Sequence, residues 1–183
     1  MLAVIVIDMI KDNIFEGAKK IIPRIKKLLE VARAHRIPII YANDSFFPFD
    51  PMFERIRRHA IRGTAGTQVI DELKPERGDI IVEKRRFSAF FKTDLDLTLR
   101  CLNVDTVALC GINTWACVLF TAADAVSLDF KCILIEDCCA SHRKEIHESI
   151  IKVYKEFPLI EILKCDEVIQ RMHGVDAHAA SKT

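Results

Sequence analysis

The sequence predicts an α/β fold: a single-domain, three-layer α/β/α sandwich with a six-stranded, mainly parallel sheet of Rossmann-like type. Three observations point there. Short apolar runs alternate with stretches of helical periodicity along the whole chain. The runs are apolar throughout instead of alternating with polar residues, the pattern of parallel strands covered on both faces. No repeat and no linker divides the 183 residues, a length that suits one domain with an ample core.

The elements follow in order. Residues 2–7 are an apolar run closed by Asp8, read as the first strand. Ile21, Ile25, Leu28, Leu29 and Ala32 recur on one face of a helix, and Pro23 is placed near its start, where its missing N–H costs nothing. Residues 37–42 make the second strand. Residues 43–66 hold Pro48, Pro51, Gly63 and Gly66 among aromatics and arginines, a long irregular loop with a short helix at 52–60. The third strand is 80–83, a helix follows at 94–102, and the fourth strand, 106–110, ends at Gly111. An Ala-rich helix covers 115–128, a fifth strand 131–136, a helix 142–155, a sixth strand 159–163 and a last helix 165–173. The domain thus spans 1–173, and 174–183, small and polar, is expected to be a frayed tail.

Lys and Arg number 27 against 26 Asp and Glu, a net charge of +1. That balance argues against a disordered chain and against bulk electrostatic binding to nucleic acid or an anionic membrane. No apolar run is long enough to span a bilayer, and the first one lacks the basic flank of a signal peptide. Seven cysteines, an odd number without a CxxC pair, read as reduced thiols in a cytoplasmic protein.

In a parallel sheet the ligand sits beyond the carboxyl ends of the strands. Asp8 closes the first strand, Lys84 closes the third, and Cys117 opens the helix after the fourth. A helix N-terminus and an ammonium stabilise a thiolate, and a carboxylate can take or relay its proton. Singly, each residue has a plainer role: Asp8 as a turn residue, Lys84 as part of a solvated basic run, Cys117 as one more core cysteine. Their convergence on one sheet edge favours chemistry.

These residues resemble the isochorismatase-like cysteine hydrolases, which include nicotinamidases and N-carbamoylsarcosine amidases. The resemblance covers roughly 3–165. It rests on Val4-Ile5-Val6-Ile7-Asp8-Met9, on Lys84-Arg85-Arg86-Phe87-Ser88-Ala89-Phe90, on Gly111-Ile112-Asn113-Thr114-Trp115-Ala116-Cys117-Val118 with Thr121-Ala122-Ala123-Asp124-Ala125 after it, and on Asp137-Cys138-Cys139-Ala140-Ser141. It implies an isochorismatase-like fold with Cys117 as nucleophile, Asp8 as proton carrier and Lys84 as their electrostatic partner. It also implies a cis peptide at Ile112–Asn113 and an oxyanion hole from the N–H groups of Asn113 and Cys117. The family's isochorismatase branch lacks the nucleophilic cysteine, so its presence here implies C–N hydrolysis with release of ammonia.

The family's nicotinamidases hold a metal on an Asp-x-His motif and a second His before Gly-Thr. Here Asp44 and His59 stand at two of those places, but Phe46 replaces the other His. A divalent metal such as zinc on Asp44 and His59 would be an incomplete site, since catalytic zinc usually has three protein ligands. No cofactor is required by the thiol chemistry. Arg57 or Arg58, from the arginine-aromatic loop, would bind a substrate carboxylate, unless Arg55, Arg58 and Arg62 only form a solvated helix stripe. Trp115 lines the pocket or packs beneath it. His142 and His147 are expected to be solvated.

The leading expectation is therefore an N-carbamoylsarcosine amidase-like hydrolase of a small amide or carbamoyl compound, in a homo-oligomer with no nucleic-acid or membrane partner. A strict nicotinamidase with bound metal is the alternative. The other is a catalytically silent binding protein, for which Cys117 would react with iodoacetamide no faster than free cysteine.

Overall fold

A computed structural model describes residues 1–179. Six strands, β1 (Leu2–Ile7), β2 (Ile39–Asp44), β3 (Ile80–Lys84), β4 (Thr106–Ile112), β5 (Lys131–Ala140) and β6 (Ile160–Leu163), form one sheet in the order β3-β2-β1-β4-β5-β6. Every pairing is parallel. Among the described residues, helices fill four of the five crossovers, α1 (Glu16–Ala34), α2 (Leu95–Cys101), α3 (Leu119–Ser127) and α4 (Lys144–Tyr154), and α5 (Cys165–Ala179) ends the chain, while β2 and β3 are joined by short turns only. None of the helices is long and apolar enough to cross a membrane.

The central strand explains the layering. Residues 3–7 of β1 are wholly buried. Val4 and Val6 face a core half shared with α1 and α5, while Ala3, Ile5 and Ile7 face a half shared with α2 and α3. Successive side chains on a strand point to opposite faces, so an uninterrupted apolar run needs a cover on both. The strand order reverses at β1, and the crevice between the carboxyl ends of β1 and β4 is where a doubly wound sheet opens to ligand.

Several boundaries differ from the sequence expectation: the second strand, read as 37–42, is Ile39–Asp44, and four other differences have a physical reason. α1 starts at Glu16, so Pro23 lies inside the helix and not near its start. A proline there forfeits one backbone bond and costs about 3 kcal/mol; the buried face of Ala18, Ile21, Ile25, Leu28, Leu29 and Ala32 offsets it. The helix expected at 52–60 is only a short turn, Pro51–Glu54, so Arg55, Arg58 and Arg62 share no helical stripe. β5 runs to Ala140: its pairing with β4 jumps from Leu109↔Leu134 to Gly111↔Cys139, and the extra residues bulge. α5 continues to Ala179 through Gly174, which a helix tolerates at about 1 kcal/mol. The expected frayed tail is therefore helical as far as Ala179, and the rest of it, 180–183, lies outside the described residues.

Gly111 sets how closely β4 approaches β1. It pairs with Ile7 and has φ +114°, and a Cβ there would lie 2.1 Å from the Ile7 carbonyl oxygen. Only glycine suits both conditions. The result brings the chain after β4 directly beside Asp8.

Candidate active site

Asp8 follows β1 in the left-handed region, φ 55°, with its N–H donating to the Ala42 carbonyl at 3.1 Å. Its Oδ1 accepts the Asp44 N–H at 2.7 Å. Lys84 is the last residue of β3 and shares the inward face of Val82. It is fully buried, with Nζ 2.8 Å from Asp8 Oδ2, 3.5 Å from Cys117 Sγ and in contact with Asp44 Oδ1. One ammonium thus joins residues from β1, β2, β3 and the turn after β4. The strand-end residues expected to converge do so.

Cys117 lies in the tight turn Thr114–Val118 that leads into α3. The turn is tied down on several sides. The Asn113 carbonyl accepts N–H groups of Ala116 and Val118 at 3.0 and 3.2 Å. Thr121 Oγ1 donates to the Cys117 carbonyl at 2.7 Å and accepts the Ala89 N–H at 3.0 Å, which couples the segment after Lys84 to the nucleophile. Asn113 Oδ1 accepts the His142 N–H at 3.3 Å, and the Ile112–Asn113 peptide is cis.

Burial pushes Asp8 up from 3.8 to about 6, the nearby Asp44 charge adds to this, and Lys84 opposes both. Burial acts to lower Lys84, but Asp44, Asp8 and Cys117 outweigh it and raise it well above its ordinary value, so it remains charged. Burial also pushes the Cys117 thiol well up, more than Lys84 pulls it down. Cys117 sits before α3 begins, at 8% exposure, and holds its proton at rest, so slow alkylation of the free protein does not by itself mark a catalytically silent one. That proton must leave during attack, and the ionised Asp8 is placed to take it.

That assignment fixes a pH dependence. Protonating Asp8 removes the base, so kcat/KM is expected to fall tenfold per pH unit below about 6. A limb near the ordinary carboxylate value, or none, would contradict Asp8 as the base.

A cavity of about 400 Å³ opens over this cluster, with Asp8, Asp44 and Cys117 at its floor and Arg57, His59 and Trp115 among its walls. Asn113 also lines it. A larger hollow of about 770 Å³ opens around Met1, Asp105 and Lys131, at the amino ends of the strands, and shares no residue with this one. Trp115 is half exposed at the rim, which settles its expected choice in favour of lining. Arg58 is exposed and does not line the cavity; without a helix at 52–60 the loop turns it outward. Arg62 is held elsewhere, on Ser45 and Glu83 and over the Phe47 ring. Arg85 and Arg86 pair with the buried Asp50.

Asp44 and His59 offer an incomplete donor set for a metal. Asp44 Oδ1 is taken by Lys84, and Oδ2 accepts the Asn13 side-chain N–H at 3.3 Å. His59 Nε2 stands 3.9 Å from Oδ2, and Phe46 packs its ring against His59 without offering a donor atom. Asp8, Asp44 and Cys117 do bring ligand atoms within 4.8 Å of one another. The Lys84 ammonium touches all three, so a cation already sits among them.

Three contributors were given other roles in the sequence reading. Asp44 belongs to the lysine cluster, and the strand-end rule that selected Asp8 and Lys84 selects it too, once β2 is extended to 44. His142 borders the cavity, its ring on Phe15 at 4.0 Å. His147, expected to be solvated, bonds through Nδ1 to Oγ1 of the buried Thr114 at 2.8 Å, and burial lowers its pKa. No local pattern marks a contact between a helix three elements away and the nucleophile turn.

The Isochorismatase domain model matches residues 2–161. An isochorismatase-like hydrolase from Alkaliphilus metalliredigens superposes with a TM-score of 0.88 at 34% identity, covering 93% of this chain and 98% of that one. N-carbamoylsarcosine amidase from Thermoplasma acidophilum gives 0.83 at 32% identity, covering 90% and 96%. A probable inactive nicotinamidase from Arabidopsis thaliana is 34% identical over 81% of this chain and 85% of its own.

Proposed function

The chain belongs to the isochorismatase family and is a hydrolase acting on amides, and within that class we propose that it cleaves a small, carboxylate-bearing N-carbamoyl compound with Cys117 as nucleophile. The observation that carries this reading is the single buried ammonium of Lys84 touching Asp8, Asp44 and Cys117 at the floor of a cavity walled by Arg57.

The residues would act in sequence. Cys117 Sγ attacks the carbamoyl carbon while its proton passes to Asp8. The S–C bond forms, the C–N bond breaks, and Asp8 returns that proton to the leaving nitrogen, which departs as ammonia. Asp8, again ionised, then takes a proton from water as the water oxygen attacks the thioester-type carbon; the C–S bond breaks, and Asp8 passes that proton to the departing Cys117 sulfur. Lys84 keeps Asp8 charged between these steps. The N–H groups of Asn113 and Cys117 would receive the developing oxyanion, a contribution of roughly 3 kcal/mol per donor to the barrier.

Arg57 is the arginine of the loop that reaches the cavity; its guanidinium also donates to the Asp12 carbonyl at 3.3 Å. A guanidinium at the wall suits a carboxylate better than a neutral ring. The test is ammonia release from a panel of N-carbamoylsarcosine, other N-carbamoyl amino acids, ureidoacrylate, nicotinamide and pyrazinamide. The carbamoyl acids are expected to be the best substrates. Arg57→Ala should raise their KM by about 10- to 100-fold, the loss of a charge-assisted bond, with little change in kcat. Arg58→Ala should leave KM unchanged. Faster turnover of nicotinamide, or a KM indifferent to both substitutions, would refute the carboxylate reading.

A further inference from the structure

We propose that His147 is a positioning residue for the nucleophile turn: through Thr114 it fixes the spacing of the Asn113 and Cys117 N–H groups that would receive the oxyanion. The inference rests on the reading of Cys117 as nucleophile and assigns part of its rate to a side chain that does not line the cavity.

The two donors stand at the ends of a short stretch, and Thr114, Trp115 and Ala116 lie between them. Trp115 is half exposed at the rim, and Ala116 has no polar side chain. Thr114 is wholly buried, and its Oγ1 lies 2.8 Å from His147 Nδ1. Among the described residues this is the only side-chain hydrogen bond that the three make. A second bond comes from the same part of the chain. The His142 N–H, just before α4, donates to Asn113 Oδ1 at 3.3 Å. The segment 142–147 thus clasps two successive residues of the turn, and His147 holds the one between the donors.

The helix turns His147 inward. Ile151, one turn on, is buried in the same core half as Cys117, and residues four apart share a helix face. Burial lowers the ring's pKa against the pull of Glu136 and Glu148, so at neutral pH it meets Thr114 as an uncharged partner. A hydroxyl can donate or accept, so either neutral tautomer completes the bond. Donors aimed at a developing charge work only when held in place beforehand, to within about 0.5 Å. A turn free to shift at Thr114 would still bind substrate through the cavity walls but would meet the transition state less well. The signature lies in kcat and not in KM. Stability behaves differently. Removing one partner leaves a buried polar group unpaired, whereas replacing both by apolar groups of like shape is nearly neutral.

The test is a double-mutant cycle on ammonia release from the best substrate of the panel, with thermal melts alongside. His147→Leu and Thr114→Val should each lower kcat by about 10- to 30-fold, with KM within about twofold of wild type. His147→Asn, which sets an amide atom where Nδ1 stands, should recover most of the loss. The double variant should melt nearer to wild type than either single one. Its kcat should nevertheless be as low as theirs, because both substitutions break one bond. Losses in kcat that multiply in the double variant, or a kcat that returns together with the melting temperature, would overturn the positioning role alone. So would an unchanged kcat in His147→Leu, or a KM that rises as much as kcat falls. Silence of wild type on the whole panel, or ammonia release that Cys117→Ala retains, would overturn the proposed function and the positioning role with it.

Discussion

Cys117→Ala is expected to abolish ammonia release, with a loss of about 10⁴-fold or more in kcat/KM, and to leave the fold intact. The size of the effect follows from the absence of a substitute. Among the described residues no other cysteine lines the cavity. Asp8 cannot replace the sulfur, because its task is to take the proton that the sulfur gives up. The small effect on stability follows from the same geometry. Lys84 keeps both carboxylates when the thiol is removed, and the sulfur at 3.5 Å is its longest contact. Truncating one buried atom costs about 1 kcal/mol. Assays of both proteins on the panel, with thermal melts alongside, check the two halves separately. Equal ammonia release would remove Cys117 as nucleophile.

Lys84→Met should do the opposite to stability. Methionine fills much of the space but supplies no charge, so Asp8 and Asp44 are left buried and facing one another. Removing one partner of a buried ion pair costs about 3–5 kcal/mol. The loss depends on pH in a direction set by the carboxylates. Burial and mutual repulsion already raise Asp8 from 3.8 to about 6 with Lys84 present. Without the ammonium the raised value climbs further. Between a carboxylate's ordinary value and its raised one, the folded state binds more protons than the unfolded, so stability falls as pH rises. The variant should therefore be nearer to wild type at about pH 5 than at about pH 8. Urea unfolding at the two pH values measures this. Activity should vanish at both, since neither protonated Asp8 nor an unstabilised one completes the transfer. A variant equally stable at the two pH values would show that Lys84 does not hold the carboxylates ionised.

The parts of this molecule that the sequence revealed were those written in short-range pattern. The apolar runs predicted the six strands, and the rule that ligands gather at strand ends selected Asp8 and Lys84 before any geometry was available. The ordered motifs around Lys84 and Cys117 supplied the chemistry. What stayed hidden depends on register and on burial. Reading β2 as ending at 42 left Asp44 in the loop, where it looked like a metal ligand and not a partner of Lys84. The state of the Cys117 thiol could not be seen from neighbours in sequence, because burial, a property of the assembled fold, decides it. The loop at 45–66 was legible as functional, but which arginine reaches the cavity depends on the absence of a helix that composition had suggested.

The resting state of the nucleophile has a consequence for the life of the protein between turnovers. Peroxides attack thiolates, and the route runs from sulfenic to irreversible sulfinic acid. Because burial keeps the Cys117 proton in place until a carbonyl arrives and Asp8 draws it off, the idle sulfur is chemically quiet. Nucleophilicity is coupled to occupancy, and the same desolvation that makes the free thiol sluggish protects it from ageing.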